Sequence, residues 1–334
     1  MRQSLCRAVR RCAVAGLAVT GAALSTPAAA SEGGSSFYLL GSGGPEAAVL
    51  PPVEGVFLDN TMYFYNGEAS VDREFVVGGN VVAGLDADIF ANFTTLMWVP
   101  STNVLGGTLA LSAALPIGHP AVDASVVLTG PGGNQIAIDR KDSAWVIGDP
   151  VASAALAWSL DKETHLQFGT MVNIPIGQYR EDELANLAFH RWIVDASLAA
   201  TWHDEASGWD LSTKTGITFN GTNNFTDYNT GTELHWEASV EKTLSKQVSL
   251  GLQAYHYQQI SGDSGTGAVL GPNKGEVSAV GVTGAYNFVL GKTPVTARLR
   301  VFEEFNATRR LDGTAAFFSL TFPISMKLPP GAGG

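Results

Sequence analysis

Two cysteines are present in 334 residues, Cys6 and Cys12, and both lie at the extreme amino end. The chain beyond them therefore holds no disulfide and no thiolate metal site. Charged residues make up only 15 % of the chain. No run after the first thirty residues reaches eighteen consecutive apolar residues, so no helix of the chain is suited to span a membrane. Basic excess is also missing. Setting aside the four arginines near the start takes the formal charge from −11 to −15, which excludes a nucleic-acid partner.

What is present begins with an address. Arg2, Arg7, Arg10 and Arg11 form a basic head, Cys12 to Leu24 a short apolar stretch, and Ala28-Ala29-Ala30 a small-residue cleavage site. This is the pattern of a secretory signal peptide over 1–30, with cleavage after Ala30. The apolar stretch is too short for a membrane anchor. Residues 31–54 then form a leader that contains Phe37-Tyr38-Leu39-Leu40 and ends near Pro51-Pro52. The leader is either a disordered lead-in or a plug for whatever the remaining chain encloses.

From residue 55 onward the chain alternates between turn-rich gaps and long segments with a period of two. Thr232–Leu244 is the clearest. One face carries Leu234, Trp236, Ala238, Val240, Lys242 and Leu244; the other carries Glu233, His235, Glu237, Ser239, Glu241 and Thr243. An apolar face toward lipid and a charged face toward a wet lumen suit a membrane strand. Twelve such segments are predicted: Val56–Asn66, Leu85–Val99, Val104–Pro116, Trp145–Ser159, Thr164–Ile176, Arg191–His203, Gly208–Asn220, Thr232–Leu244, Gln247–Ile260, Glu276–Val289, Pro294–Phe305 and Gly313–Ile324. Most exceed the ~5–6 residues of an ordinary globular strand and reach the ~9–11 needed to cross a bilayer at a tilt.

The connections alternate strictly between short and long. The long ones are Gly67–Gly84, Ile117–Ala144, Gly177–His190, Gly221–Gly231, Ser261–Gly275 and Asn306–Asp312. Short turns on one side and longer loops on the other are the habit of outer-membrane barrels. The expected fold is thus all-β, a transmembrane antiparallel up-and-down barrel of about 12 strands over 55–325, followed by a tail at 326–334. Val122–Thr129 and Gln135–Ile138 flank Gly130-Pro131-Gly132-Gly133-Asn134 and read as a hairpin inside an outside loop. Counted as membrane strands they would make 14.

Trp158, Trp192, Trp202, Trp209, Phe219, Trp236, Phe288 and Phe322 fall on the outward register near strand ends, where interfacial aromatic girdles belong. Lys242 shares that register and sits close enough to the Ser245–Lys246 turn to snorkel to the headgroups. Asp195, Asp210, Lys214, Glu233, His235, Glu237, Glu241, Arg298, Arg300 and Glu304 fall inward, and Tyr255 and Tyr257 offer aromatic surface along a path. Barrel interiors are polar by default, so these groups either pair across a hydrated lumen or narrow a pore. His165, His203 and His235 share the inward face with Ser197 and Ser239, but no Gly-x-Ser-x-Gly elbow occurs, and no enzyme is expected. Asp227 to Glu233 lacks the spacing of a calcium loop and reads as a hydrogen-bonded outside loop.

Several stretches share an order with one known family. They are Phe37-Tyr38-Leu39-Leu40-Gly41 with Leu50-Pro51-Pro52 and Gly55; Gly148-Asp149-Pro150 before Leu156 and Trp158; and Tyr179 to Asn186. Further on come Thr226-Asp227-Tyr228, Gly231 and Glu233; Tyr255, Tyr257-Gln258-Gln259 and Asp263-Ser264-Gly265; and Glu304-Phe305. In this order the chain resembles the outer-membrane family named for a MetA pathway of phenol degradation, over nearly all of its length after the leader peptide. The resemblance implies a transporter-like barrel associated with aromatic catabolism, with no catalytic residues and no cofactor. Asp149, Asp227, Tyr257 and Asp263 stand at its motif positions. One departure is the Pro/Gly tail from Pro323 to Gly334, where such proteins usually finish on an aromatic.

The expectation is therefore export to the outer membrane and passive uptake of small hydrophobic or aromatic compounds. Lipid, lipopolysaccharide and the barrel-assembly machinery would be its partners. A general diffusion pore for polar solutes, or a structural or surface-binding barrel, are the alternatives.

Overall fold

The computed structural model describes residues 31–129 and 135–327. The expected leader peptide, the expected turn over 130–134 and the expected tail from 328 lie outside the described residues. Among those described, no helix is long and apolar enough to cross a membrane. Crossing falls to twelve strands: β1 (Gly55–Val77), β2 (Asn80–Val104), β3 (Gly107–Thr129), β4 (Val151–Ser159), β5 (Thr164–Asn173), β6 (Ile193–Asp204), β7 (Trp209–Asn220), β8 (Glu233–Thr243), β9 (Val248–Gln259), β10 (Glu276–Leu290), β11 (Thr293–Thr308) and β12 (Asp312–Met326).

Every strand pairs antiparallel with its neighbours in sequence, and β12 returns to β1 with Gly55 opposite Met326 and Glu68 opposite Asp312. The result is a closed up-and-down barrel. Closure is what lipid demands, because an open sheet edge would leave backbone donors and acceptors with no water to satisfy them. In β8, Glu233, His235, Glu237, Ser239 and Glu241 are buried inside while Trp236 is exposed outside. Directly opposite in β9, Tyr255 and Tyr257 face the same interior. The outward registers present Leu96, Trp98, Leu198, Leu252 and Val282, a surface that only lipid would cover comfortably. Lys242 behaves as its position predicts: its ammonium lies 4.8 Å from the centroid of the Trp209 ring and donates to the Ser207 carbonyl at the turn.

The first three strands are longer than the periodicity suggests. Gly67–Gly84 is not a loop: β1 and β2 stay paired through Val77 and Asn80, turning at Gly78-Gly79, with an irregularity between Ala69 and Glu74. Ile117–Ala144 likewise continues β3, which pairs in its outer part with Gln135–Ser143. Asn306–Asp312 shrinks to a short connection. These segments overhang the lipid zone, so both of their faces lose the greasy-outside signature and read as polar loop. Their inner faces bury Phe75, Val77, Val82, Leu85 and Ala87 with Leu184, Ala185 and Leu311. The hairpin expected between Val122 and Ile138 is thus an overhang outside the twelve-strand wall.

Leu198 lies midway along β6 on the lipid side and is 61 % exposed. Leu198→Arg should cost ~2–4 kcal/mol, the range for a cation at the bilayer midplane. Denaturant unfolding from phospholipid vesicles measures this, and an unchanged midpoint would place that face away from lipid.

Candidate functional site

The lumen is occupied by the chain's own amino-terminal segment. Residues 31–54 run lengthwise through it, from the long-loop end down to the short-turn end, where Gly55 begins β1. Contacts mark the course. The Gly41 amide donates to Glu237 Oε1 at 2.7 Å, the Glu46 amide to Asp210 Oδ1 at 3.2 Å, and the Ala48 amide to Thr201 Oγ1 at 3.0 Å. Gln253 Nε2 donates to the Gly43 carbonyl at 2.9 Å. A segment of turns inside a barrel leaves some backbone groups unpaired, and the inward polar side chains supply the partners a sheet would otherwise provide.

Two features tailor this segment to its channel. Tyr38 stacks on His235 with ring centroids 3.6 Å apart, and Lys214 lies 4.9 Å from the centroid of the Tyr38 ring. Gly41 adopts φ +85°, and a Cβ there would come 2.8 Å from the Phe302 ring. Glycine is needed both for that backbone conformation and for the closeness of the ring.

The inward residues read from the sequence divide into pairs around the segment. His235 Nε2 lies 2.9 Å from Asp195 Oδ2, which also accepts from Thr218 Oγ1 at 2.7 Å. His203 Nδ1 lies 3.2 Å from Asp210 Oδ2. Arg298 forms an ion pair with Glu241 and donates to Thr283 Oγ1 at 2.9 Å. Tyr257 donates to Glu233 at 2.9 Å, and Tyr255 and Tyr65 both donate to Glu304, at 2.7 and 2.8 Å. Arg310 crosses 4.1 Å from the centroid of the Tyr257 ring. Arg300 reaches the same interior with its Nε unpartnered. Asp210, Lys214, Glu237 and His235 meet the threaded segment directly, and Tyr255 and Tyr257, opposite Glu237 and His235, pack with its Tyr38 and Leu40. Asp195, Asp210, His235, Glu241 and Arg298 are held in charge pairs.

Some contributors carried no warning in the sequence. Glu32 is one: its carboxylate accepts from Arg191 Nη1 at 3.0 Å, Thr226 Oγ1 at 2.8 Å and Asn223 Nδ2 at 3.0 Å. This buried ion pair pins the outer end of the segment to the loops. The only trace in the sequence is a lone acid amid Ser and Gly.

Asp149 organises the neighbouring loop. Its carboxylate accepts from Asn173 Nδ2, the Gly177 amide and the Phe189 amide, each at 2.8 Å, and from the His190 amide at 3.0 Å. The loop so held lies against Val146–Ile147, which pair with Ile117 and Gly118 of β3: the Gln178 amide donates to the Ile147 carbonyl at 2.8 Å and the Ile147 amide to Gln178 Oε1 at 3.0 Å. Arg180 reaches Asp142 at 3.0 Å. Burial pushes the Asp142 carboxyl up, but the Ala185 amide and the Arg180 guanidinium outweigh it and hold the group below its ordinary range. Asp227 is held low by the Thr266 hydroxyl and amide, the ties of a loop rather than of a calcium site.

Between the segment and the wall of β1–β3 lies a cavity of about 270 Å³. Its lining includes Leu39, Tyr63, Ile89, Phe93, Leu187 and Phe189, with Tyr65, Tyr255, Glu304 and Arg310 at one side. The polar partners of the segment lie on β6–β9; the cavity lies on the opposite, more apolar side.

A closed twelve-strand barrel with a greasy belt, a polar interior and a self-supplied internal segment defines a transmembrane β-barrel protein of the outer-membrane type. The chain belongs to the family described as "Putative MetA-pathway of phenol degradation", which matches residues 72–320. Among solved structures it is similar to an outer-membrane channel from Pseudomonas putida F1, at 16 % identity and a TM-score of 0.62, covering 83 % of this chain and 96 % of that one. The translocator domain of the autotransporter NalP from Neisseria meningitidis aligns at 12 % identity and a TM-score of 0.45, over 80 % of this chain and 88 % of that one. By sequence, no curated protein matches. The protein is an outer-membrane β-barrel, and the fold expected from its periodicity is the fold it has.

Two substitutions test the site. Asp149→Ala strands several amides, each worth about 1–3 kcal/mol when buried without a partner, so trypsin should cut at Arg180 faster than in the parent barrel. An unchanged rate would mean that the loop is held by its other contacts. Gly41→Val should expel the threaded segment and raise single-channel conductance in planar bilayers several-fold; parental conductance would mean the segment does not obstruct ions.

Proposed function

We propose that the protein is a channel for passive, energy-independent passage of small, mainly apolar or aromatic molecules across the outer membrane. The observation that carries this reading is the mainly apolar cavity beside the threaded segment, with Glu32, Asp149, Arg191, Glu304 and Arg310 among its lining. A cavity of about 150 Å³ lined by apolar side chains already admits benzene, so about 270 Å³ accommodates a substituted ring. Tyr63, Phe93 and Phe189 can pack against such a solute edge-on or in offset stacks. The polar side of the lumen is taken up by the threaded segment and by internal ion pairs. That arrangement favours selective passage over a general diffusion pore, which would keep a wide hydrated path.

Asp195, Asp210, Lys214, Glu233, His235, Glu237, Glu241, Arg298, Arg300 and Glu304 serve here to seat the segment and neutralise the interior. Tyr255 lines the cavity, whereas Tyr257 is tied to Glu233 and lies against Arg310. The similar channel of Pseudomonas putida supports the transport assignment by its fold, and the family supports an aromatic cargo by its description. Export through a leader peptide cleaved after Ala30 completes the proposal, with lipid and lipopolysaccharide as surroundings and no cofactor.

Ala91 lines the cavity and is almost fully buried. Ala91→Phe should fill it and lower uptake of a radiolabelled phenolic compound several-fold at limiting concentration, with barrel folding unchanged by heat-modifiable mobility. Uptake equal to the parent, or equal with and without the gene, would remove the aromatic-transport assignment. A large steady current would favour the general pore instead.

A further inference from the structure

Asp263 poses an electrostatic problem at the loop end of the lumen. It is only 3 % exposed. Its carboxylate accepts from Tyr228 Oη at 2.6 Å, the Gly231 amide at 2.9 Å, Gln259 Nε2 and the Ser31 amide at 3.1 Å. All four donors are neutral, and among the described residues no Lys, Arg or His lies within ion-pair distance of it. A carboxylate removed from water without a counter-ion is costly even when hydrogen-bonded. Burial accordingly pushes its pKa up against the pull of the Tyr228, Gly231, Gln259 and Ser31 donors.

Ser31 poses a conformational problem at the same spot. It is fully buried, its hydroxyl has no partner, and its φ is +54°. At positive φ the carbonyl that precedes a residue crowds its Cβ and its own backbone. A first residue has no preceding carbonyl, and that crowding is removed.

One event resolves both. We propose that the Ala30–Ser31 bond is the maturation site and that the α-ammonium of Ser31 docks on Asp263 as its counter-ion, latching the threaded segment at the loop end. In the cleavage, a signal peptidase adds water across the amide bond; Ala30 departs with the carboxylate, and the Ser31 nitrogen is left as a protonated amine. A neutral single donor thereby becomes a cation with three donors, beside a buried acid whose other partners are all neutral. Two independent lines meet on the same bond: the small-residue triplet Ala28-Ala29-Ala30, and the geometry of Ser31. The adjacent Glu32–Arg191 pair then makes the latch a two-residue clamp, whatever solute the channel carries.

The test uses the protein isolated from outer membranes. Intact mass should give a chain beginning at Ser31. Reductive methylation should label its α-amine at least an order of magnitude more slowly in the folded barrel than after denaturation. Asp263→Asn should abolish that protection, while Tyr228→Phe, which removes a neutral donor from the same carboxylate, should retain it. A different first residue would overturn the proposal. So would an α-amine that labels equally fast folded and unfolded, or a Tyr228→Phe barrel as reactive as Asp263→Asn. The mass and the parental labelling need no variant, so a failure of Asp263→Asn to fold does not spare the idea.

Discussion

Backbone groups in hydrocarbon have no solvent to turn to, and that requirement shapes everything else in this molecule. It forces the sheet to close, with β12 returning to β1. Closure creates an interior, and the alternation of side chains along each strand makes that interior polar. A polar interior must in turn be satisfied. In this barrel the satisfaction comes largely from the chain itself, as a peptide segment whose amides are received by Glu237, Asp210 and Thr201.

Seen this way, the charges of the lumen and the glycines of the segment are two halves of one fit. Glu237 serves the Gly41 amide because Gly41 has no side chain to hold the backbone away. His235 can lie flat under Tyr38 because Asp195 holds the imidazole from its Nε2 side. The lumen residues that would be candidates for ion selectivity in an empty barrel here act mostly on one another and on the segment. What remains accessible is the less polar side, against β1–β3.

The wall was legible in the sequence, and its filling was not. Thr232–Leu244 declares both of its faces because one meets lipid and the other water, and the same contrast exposes the remaining membrane segments. The contrast fails where the strands leave the bilayer. Glu68, Arg73 and Glu74 look like loop residues because the overhang they belong to has water outside and apolar packing inside. The lumen registers of Glu233, His235 and Glu237 followed from alternation alone. Their partners did not, since contacts that position the segment, such as those of Ala48 and Ser31, join residues 153 and 232 apart in sequence, and periodicity carries no information at that range. Glu32, a single acid in a Ser/Gly stretch, has no pattern to betray it.

The direction in which the internal segment runs sets a rule for handling the protein. On the proposed maturation, the free end at Ser31 lies at the loop rim and the tethered end at the turn rim, so threading from the turn side brings Ser31 through first. Anything joined ahead of Ser31, whether an affinity tag or a fluorescent domain, would have to travel the full height of the cylinder first. β12 ends on the other side, where the Lys327 amide donates to the Glu54 carbonyl at the turn rim at 2.8 Å, so a fusion following it starts outside the bore.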